Sequence, residues 1–278
     1  KELVAQFQSK VMAPLFRFSI PLVPGAVSYV VLNFTDRLFL KEISMAETGI
    51  YEMGSKFSQV MTIIIFSISA ALSPIVYQKH LDENTRAELA RVFRLFIAVG
   101  SIAVLCLSLF SYETLVIFTN EKYYPAATVM PILYLSTFFV GFNMFYIGLN
   151  IKEKTKIIGV VVVLSALLNI LLNWILIERY HLMGAAIATL ISVCVNNLTL
   201  FLISQKYYYL NFPYIKLMMA FGLLFGLMYL GSVELPKWEL GLVTSIGIKA
   251  AFVLVFTVFL YIVKLINFMK PIKHIRKQ

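Results

Sequence analysis

Long apolar stretches, separated by short polar or charged loops, recur from one end of the chain to the other. Eight of them, at about 18–39, 50–76, 95–118, 125–149, 157–177, 183–204, 214–232 and 240–263, have the ~20 residues that a helix needs to cross the hydrocarbon core of a bilayer. Alternation of apolar and polar residues along strands is absent, which excludes a membrane barrel. The pattern therefore predicts an all-α, polytopic membrane protein with eight transmembrane helices. The most informative stretch is NILLNWILIERYHLMGAAIATLIS, residues 169–192. An apolar run ends in a short polar turn, Glu178 to His181, and a second run opens with Gly184, Ala185, Ala186 and Ala188. Small residues let two backbones approach closely in lipid, where association rests on packing. This stretch predicts a helical hairpin with a tight outer turn.

Composition agrees. The 278 residues are 60% hydrophobic and 14% charged, with a mean hydropathy of +0.85, more apolar surface than a soluble domain buries. Cys106 and Cys194 each sit inside an apolar run and read as packing residues rather than a disulfide or a metal pair. The chain opens at Lys1 with a short polar lead and no cleavable signal pattern, which leads us to expect an N-terminal truncation.

Charge sets the expected orientation. The lead, the second, fourth and sixth loops and the tail together hold seventeen Lys and Arg, against five in the remaining loops. By the positive-inside bias both ends are cytoplasmic. The net charge of +10 then reflects cytoplasmic loops and anionic headgroups, not nucleic acid. The expected organisation is a cytoplasmic lead (1–17), six helices (18–204), two further helices (205–263) and a basic cytoplasmic tail (264–278). The second loop, 78–94, carries Leu81, Leu89, Val92 and Phe93 among charges, a pattern that suits a short interfacial helix.

No enzyme is predicted. The loops are too short for a catalytic domain, and no phosphate-binding loop, CxxC or nucleophile elbow is present. His80, His181 and His274 are dispersed and lack metal-ligand spacing. Two glycosylation sequons, at Asn33 and Asn197, lie in or against spans and read as chance.

Charges within apolar spans carry more information, because a charge in hydrocarbon is costly and usually faces a cavity, a partner or an interface. Asp36 and Arg37 close the first span, as an anchor pair or as an ion or substrate contact. Glu52 and Lys56 are spaced i, i+4 in the favourable order, and either neutralise each other or line a cavity. Lys249 lies ~12 Å into the last span by helical rise and is expected to snorkel to the headgroups. Arg17 reads as an inner-leaflet anchor. Pro21 and Pro24 predict a kink near the start of the first span, and Pro125 and Pro131 one in the fourth. Asn143, Asn169, Asn173, Asn196 and Asn197 are expected to be buried and to bond between helices, with Asn169 and Asn173 on one face. Gly222 and Gly226 form a GxxxG pattern, a sign of close helix packing.

Four segments together resemble the polysaccharide-biosynthesis, lipid-linked oligosaccharide (O-antigen type) flippases of the multidrug/oligosaccharidyl-lipid/polysaccharide exporter superfamily. They are FRFSIPLVPGAVSYVVLNFTDRLFL, ETGIYEMGSKFSQV, the 169–192 hairpin and the basic IKEKTK turn before it. Members of that family often carry Pro and Gly where this chain has Glu178 or Arg179 and His181. The resemblance implies the C-terminal six-helix lobe of such a transporter plus two extra helices, with an N-terminal lobe missing, in the same or a separate polypeptide. It implies a bacterial cytoplasmic (inner) membrane protein that flips a polyprenyl-pyrophosphate-linked oligosaccharide by alternating access, through a cavity between two lobes. Its partners are then the lipid bilayer and the glycan. The resemblance implies no cofactor, with coupling to a Na+ or H+ gradient. On the same basis Arg37, Lys56, Asn33 and Arg17 are the expected substrate contacts, Asp36 and Glu52 the expected coupling-ion contacts, and Lys249 borders a groove for the lipid tail. The alternatives are a small-molecule exporter of the same superfamily and a non-transporting membrane subunit.

Overall fold

A backbone that enters hydrocarbon must satisfy its own N–H and C=O groups, and the apolar runs of this chain do so as helices. The computed structural model describes residue 20 and residues 23–79, 83–238 and 241–265, and no strand occurs among them. The α-helices are α1 (Val23–Ile43), α2 (Met45–Lys79), α3 (Glu83–Leu109), α4 (Ser111–Phe118), α5 (Met130–Val140), α6 (Ile147–Ile151), α7 (Thr155–Ser204), α8 (Tyr214–Tyr229) and α9 (Leu242–Ile262). Among the described residues five helices are long and apolar enough to cross a membrane, or six if one bent pair is a single span. Two features separate that number from the eight expected. The 50 residues of α7 contain two of the expected spans. The first expected span, now α1, is made less apolar by Asn33, Asp36 and Arg37.

The expected hairpin lies within α7. His181 has φ 50° and ψ −125°, outside helical geometry. A Cβ added to Gly184 would sit 2.2 Å from the Leu176 carbonyl oxygen. In an unbroken helix residues eight apart are ~12 Å apart, so the chain folds back on itself here. Ala185, Ala186 and Ala188 are fully buried on the returning leg.

The chain divides into two compact units. The first comprises the described residues up to Thr48 together with Phe142–Tyr209. In it α1 lies along α7, and α6 packs against α7. Gly148 lets α6 come close, because a Cβ there would meet the Ser204 carbonyl at 2.6 Å. The buried Gly148 N–H donates to Ser204 Oγ at 2.9 Å. The second unit comprises the described residues of 49–141 and those from Leu210 onward. Here α3 packs against α5, α8 and α9. Phe96 stacks on Phe138 with ring centroids 5.1 Å apart, and Phe139 stacks on Phe221 at 5.7 Å, offset aromatic pairs that add to plain area burial.

Several expectations need correction. Residues 83–94 are not a separate interfacial helix but the opening turns of α3, with Leu89 and Phe93 buried inside the second unit; Leu81 lies outside the described residues. Among the described residues nothing packs closely on Gly222 or Gly226, since a Cβ on either would meet no atom within 4 Å. The close approaches in that unit are made instead by glycines such as Gly231, whose added Cβ would collide with Leu109. Cys106 is exposed rather than packed. Pro24 falls in the first turn of α1, where a missing N–H breaks no helical bond; Pro21 lies outside the described residues. The break expected in the fourth span is present, as a 57° bend between Glu121–Thr128 and Met130–Phe145.

Candidate functional site

The polar residues of α1 stand on a helix whose other face is apolar and open. Val23, Val27, Val30, Phe34 and Leu38 recur every three or four residues and are all exposed. Thr35, Asp36 and Leu40 are turned inward. This reverses the soluble pattern and suits a helix with lipid on one side and protein on the other. Asp36 is only 5% exposed. Its Oδ2 lies 3.5 Å from the hydroxyl of Thr189 on the returning leg of α7, a loose contact beside the ~2.7 Å of a tight O–H···O bond. Arg37 is half-buried, with its guanidinium carbon 5.2 Å from the Phe34 ring centroid, within cation–π range. Asn33 belongs to α1, but its side chain lies outside what is described, and Arg17 lies outside the described residues altogether.

The helix that α1 packs against carries the amide pair. Asn169 and Asn173 are both fully buried, and Asn173 Nδ2 donates to Asn169 Oδ1 at 3.0 Å. The shared face was legible from the i, i+4 spacing, but this bond stays within one helix, where a bond between helices was expected. Asn173 Oδ1 is buried and accepts no hydrogen bond. Asn197 likewise donates within its own helix, to the Val193 carbonyl at 3.0 Å, and Asn143 is exposed. Thr189, which meets Asp36, was not singled out from sequence. Nothing in its apolar surroundings marks it apart from other span threonines.

Glu52 and Lys56 belong to α2 in the second unit, where Glu52 is half-buried and Lys56 exposed. Lys249, also in the second unit, does not snorkel. Its side chain is 7% exposed and forms an ion pair with Glu113 of α4, itself 18% exposed. The Lys249 ammonium also lies 5.7 Å from the Phe110 ring centroid. Burying the lysine against a carboxylate answers its charge inside the protein, which removes the need to reach the headgroups. Glu113 was missed from sequence, although an acid in one span and a base in another are a usable hint of such a pair. Among the described residues no cluster of three or more His, Cys, Asp or Glu could hold a metal ion. The oxygens around Asp36 are of the hard kind that suit an alkali cation rather than a transition metal.

Comparison with known proteins adds a family. The model of the MatE family matches residues 21–175, more than half of the chain. A curated relative, the uncharacterized membrane protein MJ1068 of Methanocaldococcus jannaschii, is 23% identical over 191 residues, which cover 66% of this chain and 37% of the relative. The chain thus spans little more than a third of the relative that it matches. No solved structure matches it.

Proposed function

The chain belongs to the MatE family of membrane transporters, and from that premise we propose that it is part of a flippase for a polyprenyl-pyrophosphate-linked oligosaccharide. The observation that carries this reading is the presence side by side on α1 of a buried acid, Asp36, and a half-buried base, Arg37, on a helix whose opposite face is apolar and exposed. Arg37 is the proposed phosphate contact of the first unit. Its planar guanidinium suits two phosphate oxygens at once. Lys56, exposed on α2, is the proposed phosphate contact of the second unit.

Asp36 is the proposed coupling-ion contact. Its carboxylate and the Thr189 hydroxyl supply hard oxygens. These fit Na+, and a carboxylate also fits a proton. Glu52 is the second candidate for that role, on α2. Alternating access would then be driven by a cation gradient. The proposed setting is a bacterial cytoplasmic membrane with both ends of the chain cytoplasmic, supported by the lysine and arginine bias. A second, N-terminal lobe is part of the proposal, on the basis of the resemblance of the four segments to two-lobed exporters.

The test is reconstitution in proteoliposomes, of this chain alone and joined to an N-terminal lobe, with a short-chain polyprenyl-pyrophosphate oligosaccharide as cargo. The expected result is translocation by the two-lobed form, abolished by Asp36→Asn or by collapsing the cation gradient. Export of organic cations in place of the glycan would favour the small-molecule exporter and overturn the flippase reading.

A further inference from the structure

His181 occupies a backbone conformation that suits glycine. Its φ of 50° and ψ of −125° belong to the first central residue of a type II′ turn, a place where a Cβ is unwelcome. A strained non-glycine residue persists only where its surroundings hold it, and beyond the close packing of the two legs the His181 side chain itself makes a contact. His181 Nδ1 lies 3.3 Å from Glu47 Oε1. Both residues belong to the first unit.

Glu47 is placed for this contact by the start of α2. Ser44 precedes that helix, and its Oγ accepts the Glu47 N–H at 3.4 Å, which is one half of a capping box. The other half is not made. The Ser44 N–H donates instead to the Leu40 carbonyl at 2.8 Å, so the Glu47 carboxylate does not turn back on its own helix. Its Oε2 is buried with no hydrogen bond. The Glu47 side chain is 28% exposed and that of His181 52%. The other charged groups on the three segments near this point are Lys41 and Glu42 at the end of α1 and Glu178 and Arg179 ahead of the tip, all exposed to solvent and open to screening by salt.

We propose that His181 and Glu47 form a protonation-controlled latch that fastens the tip of the α7 hairpin to the start of α2. Histidine is the side chain suited to change charge near neutral pH. A proton gained by the imidazole adds charge attraction to the ionised carboxylate and closes the latch. Loss of that proton removes the charge attraction, leaving a neutral contact beside the packing of the two legs, and the tip loosens while the hairpin stays formed. The latch stands apart from the transport reading, because it concerns local opening of the hairpin and needs no cargo.

The test is amide hydrogen exchange by mass spectrometry on the full chain in nanodiscs, corrected for the intrinsic pH dependence of exchange. Peptides covering 178–186 and 44–50 are followed from about pH 8 to about pH 6, the range in which histidine commonly titrates. The expected result is several-fold slower exchange of both segments at the lower pH. Glu47→Gln should remove that response while leaving the hairpin formed. His181→Gly should remove it too, and because glycine accepts the backbone angles the hairpin should still close. A pH response that survives in either variant, or that is missing in the unaltered chain, would overturn the latch.

Discussion

Lys249 of α9 is joined to Glu113 of α4 by an ion pair inside the second unit, with the aromatic ring of Phe110 beside the ammonium. These residues lie 136 positions apart, so the pair ties the last described helix to one encountered much earlier in the chain. Neither charge is well hydrated, and each is tolerated because the other is present.

Removal of one partner should therefore cost more than removal of both. Lys249→Met strands the Glu113 carboxylate and should destabilise the protein by about 3 kcal/mol, the lower end of the range for breaking a buried pair. The double variant Lys249→Met with Glu113→Gln should recover most of that loss. Thermal unfolding in detergent measures both. Equal losses in the single and double variants would mean that Lys249 acts through its packing and not its charge.

Gly148 and Ser204 give a smaller, sharper case. Ser204→Ala leaves the Gly148 N–H buried without its acceptor. The expected cost is about 1–3 kcal/mol, the penalty for an orphaned buried donor. Ser204→Thr keeps an acceptor at that site and should lose less. The comparison of the two melting temperatures separates the lost bond from altered packing.

Local features of this fold were legible in the sequence, and features joining distant residues were not. The hairpin could be read because a polar turn and small residues stand side by side in the chain. The Asn169–Asn173 contact followed from one turn of helix. The Lys249–Glu113 pair needed knowledge of which helices become neighbours, which no spacing supplies. Gly222 and Gly226 show the same limit from the other side, since GxxxG states what a surface would permit, while among the described residues nothing approaches it. The start of α3 misled for another reason. A charged, amphipathic stretch looks alike whether it lies at a membrane surface or extends a span into a packed unit.

Lys56 and Arg37 should differ in transport although each is a proposed phosphate contact. Lys56 is exposed, so Lys56→Ala should leave melting unchanged, within ~0.5 kcal/mol as for other surface changes, while abolishing glycan export. Arg37 also stacks on Phe34, and Arg37→Lys should weaken export because the planar fork is lost. Unimpaired export by Lys56→Ala would remove Lys56 from the site.

The hairpin supplies the strictest packing test. A Cβ at position 184 would meet the Leu176 oxygen at 2.2 Å and its carbonyl carbon at 2.5 Å. Both are backbone atoms, so no rotamer change can relieve the overlap. Either the two legs of α7 part or the turn at His181 changes. Gly184→Ala should cost about 1–3 kcal/mol, the usual penalty of overpacking, and Gly184→Leu should cost more. Gly222→Ala is the matched control, since it adds the same methyl group on a helix with open space around it and replaces a poor helix former by a good one, worth up to ~1 kcal/mol. The two alanine substitutions should thus shift the melting temperature in opposite directions. A Gly184→Ala protein that melts with or above the unaltered chain would mean that the two legs are not in backbone contact at this point.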